Sequence, residues 1–135
     1  MKFLSKALYS LIFLIFAVWS KYLIKRYGFK GVLKKLDDHR SFFHLKKLQK
    51  KETVNSLIHS SNLVSRKFGF KCLTTSISNY FCLVFLGANP KLSIGVKFNS
   101  KFEFESHAWI SVENYVFFED AKSLQNYNLI KEVQI

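Results

Sequence analysis

The sequence has few of the residues that form disulfides, interrupt helices or build loops. Two cysteines, one proline and five glycines occur among 135 residues. Cys72 and Cys82 lie in one predicted helix, about 15 Å apart along its axis at 1.5 Å per residue. That separation is too large for a disulfide. A disulfide framework is therefore excluded, a reducing compartment fits, and the low proline and glycine content argues against a loop-rich fold.

Metal-binding motifs are also missing. The sequence contains no CxxC or HExxH spacing, and such spacings are what mark common zinc sites. His39, His44 and His59 are scattered among basic helical stretches, which is more typical of surface or capping residues than of ligands. We therefore expect neither a metal nor a cofactor.

Acidic residues are scarce in the first half of the chain. Residues 1–71 contain sixteen of the 21 lysines and arginines but only three acids, a net charge of +13, whereas the remainder carries −1. Such a basic half favours an anionic partner, whether an acidic peptide, a lipid surface or nucleic acid; a solvated, soluble face is the alternative. The 49% hydrophobic and 17% aromatic content predicts a folded domain with a core.

Residues 4–27 are predicted to form one long helix. Its apolar run, residues 7–19, lies between Lys6 and Lys21 and is shorter than the roughly 20 residues of a transmembrane helix. The charged start and apolar middle are similar to a signal peptide, but no small-x-small cleavage site follows. We predict a retained amphipathic helix that lies on a membrane surface or packs on the domain or a partner. A cleaved signal is the alternative.

The rest of the chain changes from helical to strand periodicity after Gly87, the expected end of a helix. The predicted helices are 29–37, 41–51, 52–66 and 72–86, with Leu63 and Phe85 among the inward residues. The predicted strands are 91–97, 105–112, 115–119 and 127–133, with a turn at Glu113 and Asn114. Helices followed by an antiparallel sheet indicate an α+β domain. Residues 1–65 would form a basic amphipathic helical region and residues 66–135 the core.

Three residue types in the second half suggest catalysis. Cys72 begins a predicted helix, His107 lies on a strand, and Glu119 and Asp120 end the neighbouring strand. A thiol, an imidazole and a carboxylate that meet in space form a Cys–His–acid hydrolase or acyl transferase. A helix N-terminus favours the thiolate. Spacing alone nevertheless favours a structural role for the cysteine and the histidine, and Cys82 is predicted to be a core residue.

Four short segments, in order, carry a family resemblance. They are CLTTS at 72–76, FLGA at 85–88, LSIGV at 92–96 and HAWI at 107–110. Together they resemble the stand-alone leader peptidases of lasso-peptide biosynthesis, which are similar to the C-terminal domain of the microcin-maturation protease. The resemblance covers about residues 70–125 and implies a papain/transglutaminase-like fold. It also implies a cysteine peptidase that removes the leader from a ribosomally synthesised precursor.

The resemblance assigns roles to individual residues. Cys72 is the expected nucleophile and His107 the base, with one acid as the third member. The family's usual spacing favours Glu119, whereas pairing across the predicted turn places Asp120 opposite the histidine. The donor that completes the oxyanion hole is either the Asn79 side chain or the Cys72 backbone amide.

The resemblance also implies partners. These are the precursor peptide, a separate leader-recognition protein and an asparagine-synthetase-like lasso cyclase, with no nucleic acid. The expected location is the cytoplasm, with membrane contact through the N-terminal helix. Two alternatives stay open: a catalytically silent basic scaffold that binds a precursor or membrane, and another acyl transferase such as a transglutaminase.

Overall fold

Helices precede a small antiparallel sheet, as the periodicity predicted, so the domain is α+β. The computed structural model describes residues 2–38, 51–112, 115–116 and 121–134. The elements are α1 (Lys2–Asp38), α2 (Lys51–Phe68), α3 (Cys72–Phe85), β1 (Pro90–Phe98), β2 (Phe104–Val112), β3 (Tyr115–Val116), α4 (Ala121–Leu124) and β4 (Asn128–Gln134). Most of the helix predicted at 41–51 lies outside the described residues.

α1 contains the two helices that were predicted at 4–27 and 29–37. They join at Gly28, whose backbone angles are φ 67° and ψ 176°. Only glycine adopts this region at low cost, so the chain kinks there and α1 consists of two helices. The residues of α1 that are buried in the core recur at helical spacing and include Phe13, Ala17 and Leu23.

The connection between α2 and α3 is short and hydrogen-bonded. Gly69 follows α2 with φ 64°, and the Phe70 N–H donates to the Ser65 carbonyl at 3.0 Å. This pattern ends a helix through a left-handed glycine. It leaves two residues, Phe70 and Lys71, before α3 begins at Cys72, so the α2–α3 turn fixes where the cysteine lies.

α3 is the central helix of the core. Cys82 is fully buried within it, which confirms the structural role predicted for this cysteine. Two other burial predictions were wrong: Leu63 is 58% exposed and Phe85 is 43% exposed. The buried face of α2 is formed by residues such as Leu57, Ile58 and Ser61, and Leu63 does not lie on it. Phe85 is the last residue of its helix.

The sheet has the strand order β3-β2-β1-β4, and every pairing is antiparallel. β1 and β2 form a long hairpin in which Gly95 lies opposite His107. β4 pairs with the other side of β1 and forms an edge, as predicted. The predicted turn at 113–114 and residues 117–119 of the predicted third strand lie outside the described residues. The short helix α4 was not predicted.

The helices pack on one face of the sheet. Alternate residues of β1 and β2, among them Leu92, Ile94, Ala108 and Ile110, are buried and join the same core cluster as α3. The side chains between them, including His107 and Trp109, belong to the other alternation. Because Ala108 and Ile110 pack in the same core as α3, α3 lies against β2, the strand that carries His107.

Candidate active site

The start of α3 presents backbone N–H donors around Cys72. Lys71 is the N-cap residue, and its side chain makes no capping hydrogen bond. The first intrahelical bond runs from the Thr75 N–H to the Lys71 carbonyl, at 3.0 Å. The N–H groups that precede Thr75 have no carbonyl partner within the helix. They give this end a partial positive charge that stabilises an anion.

Cys72 and His107, the two residues predicted to react together, meet in the structure. The side-chain hydrogen bond with His107 is the main cause that lowers the pKa of the Cys72 thiol. Partial burial of the sulfur opposes this effect, and the backbone N–H of Ala108, the charge of His107 and the N–H of Leu73 add to it. The residue as a whole remains exposed. The pair is therefore suited to hold a thiolate beside an imidazolium.

Cys82 has the opposite environment. It is a free cysteine buried in the core, and burial raises the pKa of its thiol to about 12. A thiol that stays protonated and has no access to solvent is not a nucleophile at neutral pH. The two cysteines of one helix thus have separate roles.

Two bonds through Ala108 tie the histidine strand to the cysteine helix. The Ser76 hydroxyl donates to the Ala108 carbonyl at 2.9 Å, and the Ala108 N–H bonds to the Cys72 sulfur. Cys72 and Ser76 are four residues apart, so they lie on the same face of α3. Because Ala108 follows His107 directly, these bonds fix the histidine relative to the thiol.

Two aromatic rings flank the imidazole of His107. Its centroid lies 6.2 Å from the Trp109 ring, in a stacked arrangement, and 5.6 Å from the Tyr127 ring. The shared strand face of His107 and Trp109 was predicted and is confirmed. Gly95 leaves space for the Trp109 ring and for the Tyr127 side chain, since an added Cβ would lie 2.9 Å from a Trp109 ring atom and 2.9 Å from the Tyr127 Cβ. A side chain at this position would displace the rings beside the histidine.

Tyr127 was not predicted as part of the site. Its hydroxyl donates to Glu105 Oε1 at 3.0 Å, and the Lys97 amine lies 4.4 Å from its ring centroid. Lys97 also lies 3.8 Å from Glu105. Burial raises the pKa of Tyr127, and Tyr127 in turn raises the pKa of Lys97. The one sequence signal was Gly95, since glycine inside a strand often marks a close approach.

The third member of the expected triad lies outside the described residues. Both Glu119 and Asp120 belong to residues 117–120, so the choice between them stays a prediction. The structure does give the register of the neighbouring strands, in which Ser111 pairs with Val116 and Val112 with Tyr115.

A cavity of about 540 Å³ opens beside the thiol, between α2, α3 and β2. Its α3 wall carries Cys72 and Asn79, the two residues that the sequence proposed for the oxyanion hole. Asn79 is only 5% exposed, and its Oδ1 atom has no hydrogen-bond partner among the described residues. Arg66 and Lys71 also line the cavity, and both are exposed. Within the described ranges, no group of three or more His, Cys, Asp or Glu side chains is placed to hold a metal ion.

The comparison with known families agrees with this geometry. Residues 21–132 match the family model of the transglutaminase-like superfamily, which is most of the chain, so the chain belongs to that superfamily. Its members are generally cysteine proteases or acyltransferases. Cys72 and His107 both lie inside the matched region. No curated protein and no solved structure shows a significant match to the chain.

The first helix is long and apolar enough to cross a membrane. The stretch that meets this criterion is Lys6–Leu36, in which an 18-residue window has a mean hydropathy of 1.8 and is 22% buried in the protein. Signal sequences and core helices of soluble proteins share these features. The helix is thus compatible with membrane association or with a signal sequence.

Proposed function

We propose that this protein is a cysteine peptidase that removes the leader from a ribosomally synthesised lasso-peptide precursor. The observation that carries the proposal is the hydrogen-bonded Cys72–His107 pair at the uncapped start of α3, at the mouth of a cavity large enough for substrate side chains. The family membership supports cysteine-based acyl chemistry. The lasso-specific part rests on the four ordered sequence segments.

The reaction follows from the positions of the two groups. The Cys72 thiolate attacks the carbonyl carbon of the scissile peptide bond, and the C–N bond breaks as His107 gives its proton to the leaving amine. A thioester forms between Cys72 and the leader. His107 then takes a proton from water, which attacks the thioester, releases the leader as a free acid and returns the thiol. The N–H groups of the first turn of α3, which have no carbonyl partner within the helix, support the tetrahedral oxyanion in both steps.

For the acid, we propose Asp120. The described pairs of this hairpin are Ser111–Val116 and Val112–Tyr115, and a strand that kept their register would carry position 120 opposite position 107. Side chains directly opposite in an antiparallel pair lie on the same face, so an acid at 120 would orient the imidazole. Glu119 would point to the other face and is the alternative.

An acyl transferase reaction is the second candidate function. The same thioester would form, but an amine would attack it in place of water, and the leader would end in an amide. The superfamily includes such enzymes. The two reactions therefore differ in the product and not in the thioester that precedes it.

The test uses the precursor peptide, the leader-recognition protein and the full chain together. We expect a leader whose mass is that of the free acid, and an unchanged product when a primary amine is added. A leader that carries the added amine would identify the transferase instead. No acylation of the protein and no product under any condition would favour the silent scaffold.

We further propose that the protein works in the cytoplasm with its precursor, its recognition partner and the asparagine-synthetase-like cyclase, and that α1 binds an anionic membrane surface. The exposed side of α1 carries apolar side chains at alternating spacings of three and four residues: Leu8, Leu11, Ile15, Val18 and Tyr22. The exposed cations Lys21, Lys25 and Arg26 follow directly. An apolar stripe next to cations is typical of helices that lie in the membrane interface.

Vesicle binding tests the location. We expect the chain to pellet with vesicles that contain phosphatidylglycerol, less with pure phosphatidylcholine, and less as salt rises. Ile15→Glu, on the exposed stripe, should weaken binding, while the matched Asn55→Glu on α2 should not. Equal binding by both variants would contradict the proposal.

A further inference from the structure

The cavity beside Cys72 runs along α2 and α3, and its two ends differ in the residues that line them. One wall is a single face of α3, formed by Cys72, Thr75, Ser76 and Asn79, and the facing wall of α2 runs from Ile58 to Arg66. The two helices are joined by the short turn at Gly69, so the cationic residues Arg66 and Lys71 lie near the cysteine end. Asn79 and Ile58 lie toward the other end, about two helical turns from the cysteine.

The far end of this cavity contains apolar side chains and one buried polar atom without a partner among the described residues. Ile58 and Ile110 are 1% and 3% exposed. Asn79 lies with them and is 5% exposed, and its Oδ1 atom has no partner among the described residues. Buried polar groups normally have a hydrogen-bond partner, and one that lacks it is destabilising. Asn79 lines the cavity, so a ligand group that reaches its buried Oδ1 atom and donates a hydrogen bond would supply the missing partner.

We propose that Asn79 determines substrate specificity: the cavity takes a substrate side chain that is neutral and donates a hydrogen bond to Asn79, with a carboxamide as the best complement. This inference rests on the proposed function, because it needs Cys72 as the nucleophile. A carboxamide fits best because it offers both an N–H and a C=O. It can therefore donate to the Asn79 oxygen and accept from the Asn79 N–H in one planar pair.

Cationic, anionic and apolar side chains each suit the cavity less well than a neutral donor. A cation would meet Arg66 and Lys71 at the mouth and finds no carboxylate among the described lining residues. A carboxylate is attracted to those same cations but only accepts hydrogen bonds, so it has nothing to donate to an amide oxygen. An apolar side chain fills the space and leaves the Asn79 oxygen without a partner, which weakens its binding.

Chloromethyl ketones provide a test without the natural precursor. The thiolate attacks the methylene carbon, a C–S bond forms as the C–Cl bond breaks, and chloride leaves. The probes are acetyl-Asn and acetyl-Leu chloromethyl ketone, which are nearly isosteric, and the acetyl-Asn-Gly and acetyl-Leu-Gly versions, which move the side chain one residue away. Inactivation rates are measured on the full chain, on Asn79→Leu and on Asn55→Leu, a matched change at an exposed site on α2.

In one of the two probe pairs, we expect the wild-type chain to react about tenfold faster with the asparagine probe than with the leucine probe. A tenfold difference in rate is what one neutral hydrogen bond can supply. Asn79→Leu should lose this preference, and Asn55→Leu should keep it. Alkylation by iodoacetamide should be the same in all three, which shows that the Cys72–His107 pair is intact. Equal probe rates in wild type, or a preference that survives Asn79→Leu, would overturn the specificity role while leaving the proposed peptidase. Iodoacetamide alkylation that does not depend on His107 would overturn both.

Discussion

His107→Ala tests the nucleophile without any knowledge of the substrate. The pKa of Cys72 is lowered chiefly by its hydrogen bond with His107, and less by the charge of the imidazole. The variant removes both effects. It keeps the partial burial of the sulfur, which raises the pKa, and the N–H groups of Ala108 and Leu73, which lower it. The midpoint of thiolate formation must therefore move to higher pH, toward or beyond the ordinary value of about 8.5.

The size of the change in Cys72 reactivity follows from the fraction of thiolate at each pH. A lowered pKa keeps the thiolate at lower pH, so wild-type Cys72 should remain reactive under conditions in which the variant is protonated. Below the midpoint, each unit that the pKa rises reduces the thiolate fraction about tenfold. Loss of the base should also reduce turnover by about 10²–10⁴-fold, which corresponds to roughly 3–5 kcal/mol in the activation barrier.

The assay is the rate of alkylation by iodoacetamide as a function of pH, with circular dichroism to confirm folding. Cys72→Ala gives the background, which should be near zero because Cys82 is buried and its pKa is raised to about 12. The same midpoint in wild type and in folded His107→Ala would refute the pairing of these two side chains.

Four further changes probe the surroundings of the pair. Gly95→Ala should displace Trp109, because the new Cβ lies 2.9 Å from its ring; we expect a loss of about 1–3 kcal/mol in unfolding free energy and lower turnover, measured by denaturation and cleavage. Ser76→Ala removes the 2.9 Å bond to the histidine strand; it should cost about 1 kcal/mol of stability and slow alkylation, so unchanged alkylation would make the bond purely structural. Asp120→Asn should abolish cleavage while Glu119→Gln keeps most of it, and equal mild losses would mean that neither acid orients the imidazole.

The sequence was sufficient for most of the fold because its local signals agreed with one another. Gly87 was expected to end a helix, and it follows α3 with positive φ. The alternation along β2 predicted that His107 and Trp109 share a face, and their rings stack. Such features depend on a few neighbouring residues, so they can be recognised without the tertiary structure.

The features that were missed depend on long-range packing. Tyr127 is placed beside His107 by the pairing of β4 with β1, including the irregular register between Ile94 and Gly95. Local pattern does not give that register. The burial of Phe85 was predicted wrongly for a related reason: a helical period shows which face is apolar but not where the core ends.

The most direct test of the central claim compares the two cysteines in one cleavage assay. The full chain, Cys72→Ala and Cys82→Ala are each incubated with the precursor and the recognition protein, and the released leader is measured by mass spectrometry. We predict no leader release by Cys72→Ala and most of the wild-type rate for Cys82→Ala, since one thiol is exposed beside His107 and the other is buried. Full activity in Cys72→Ala would contradict the account.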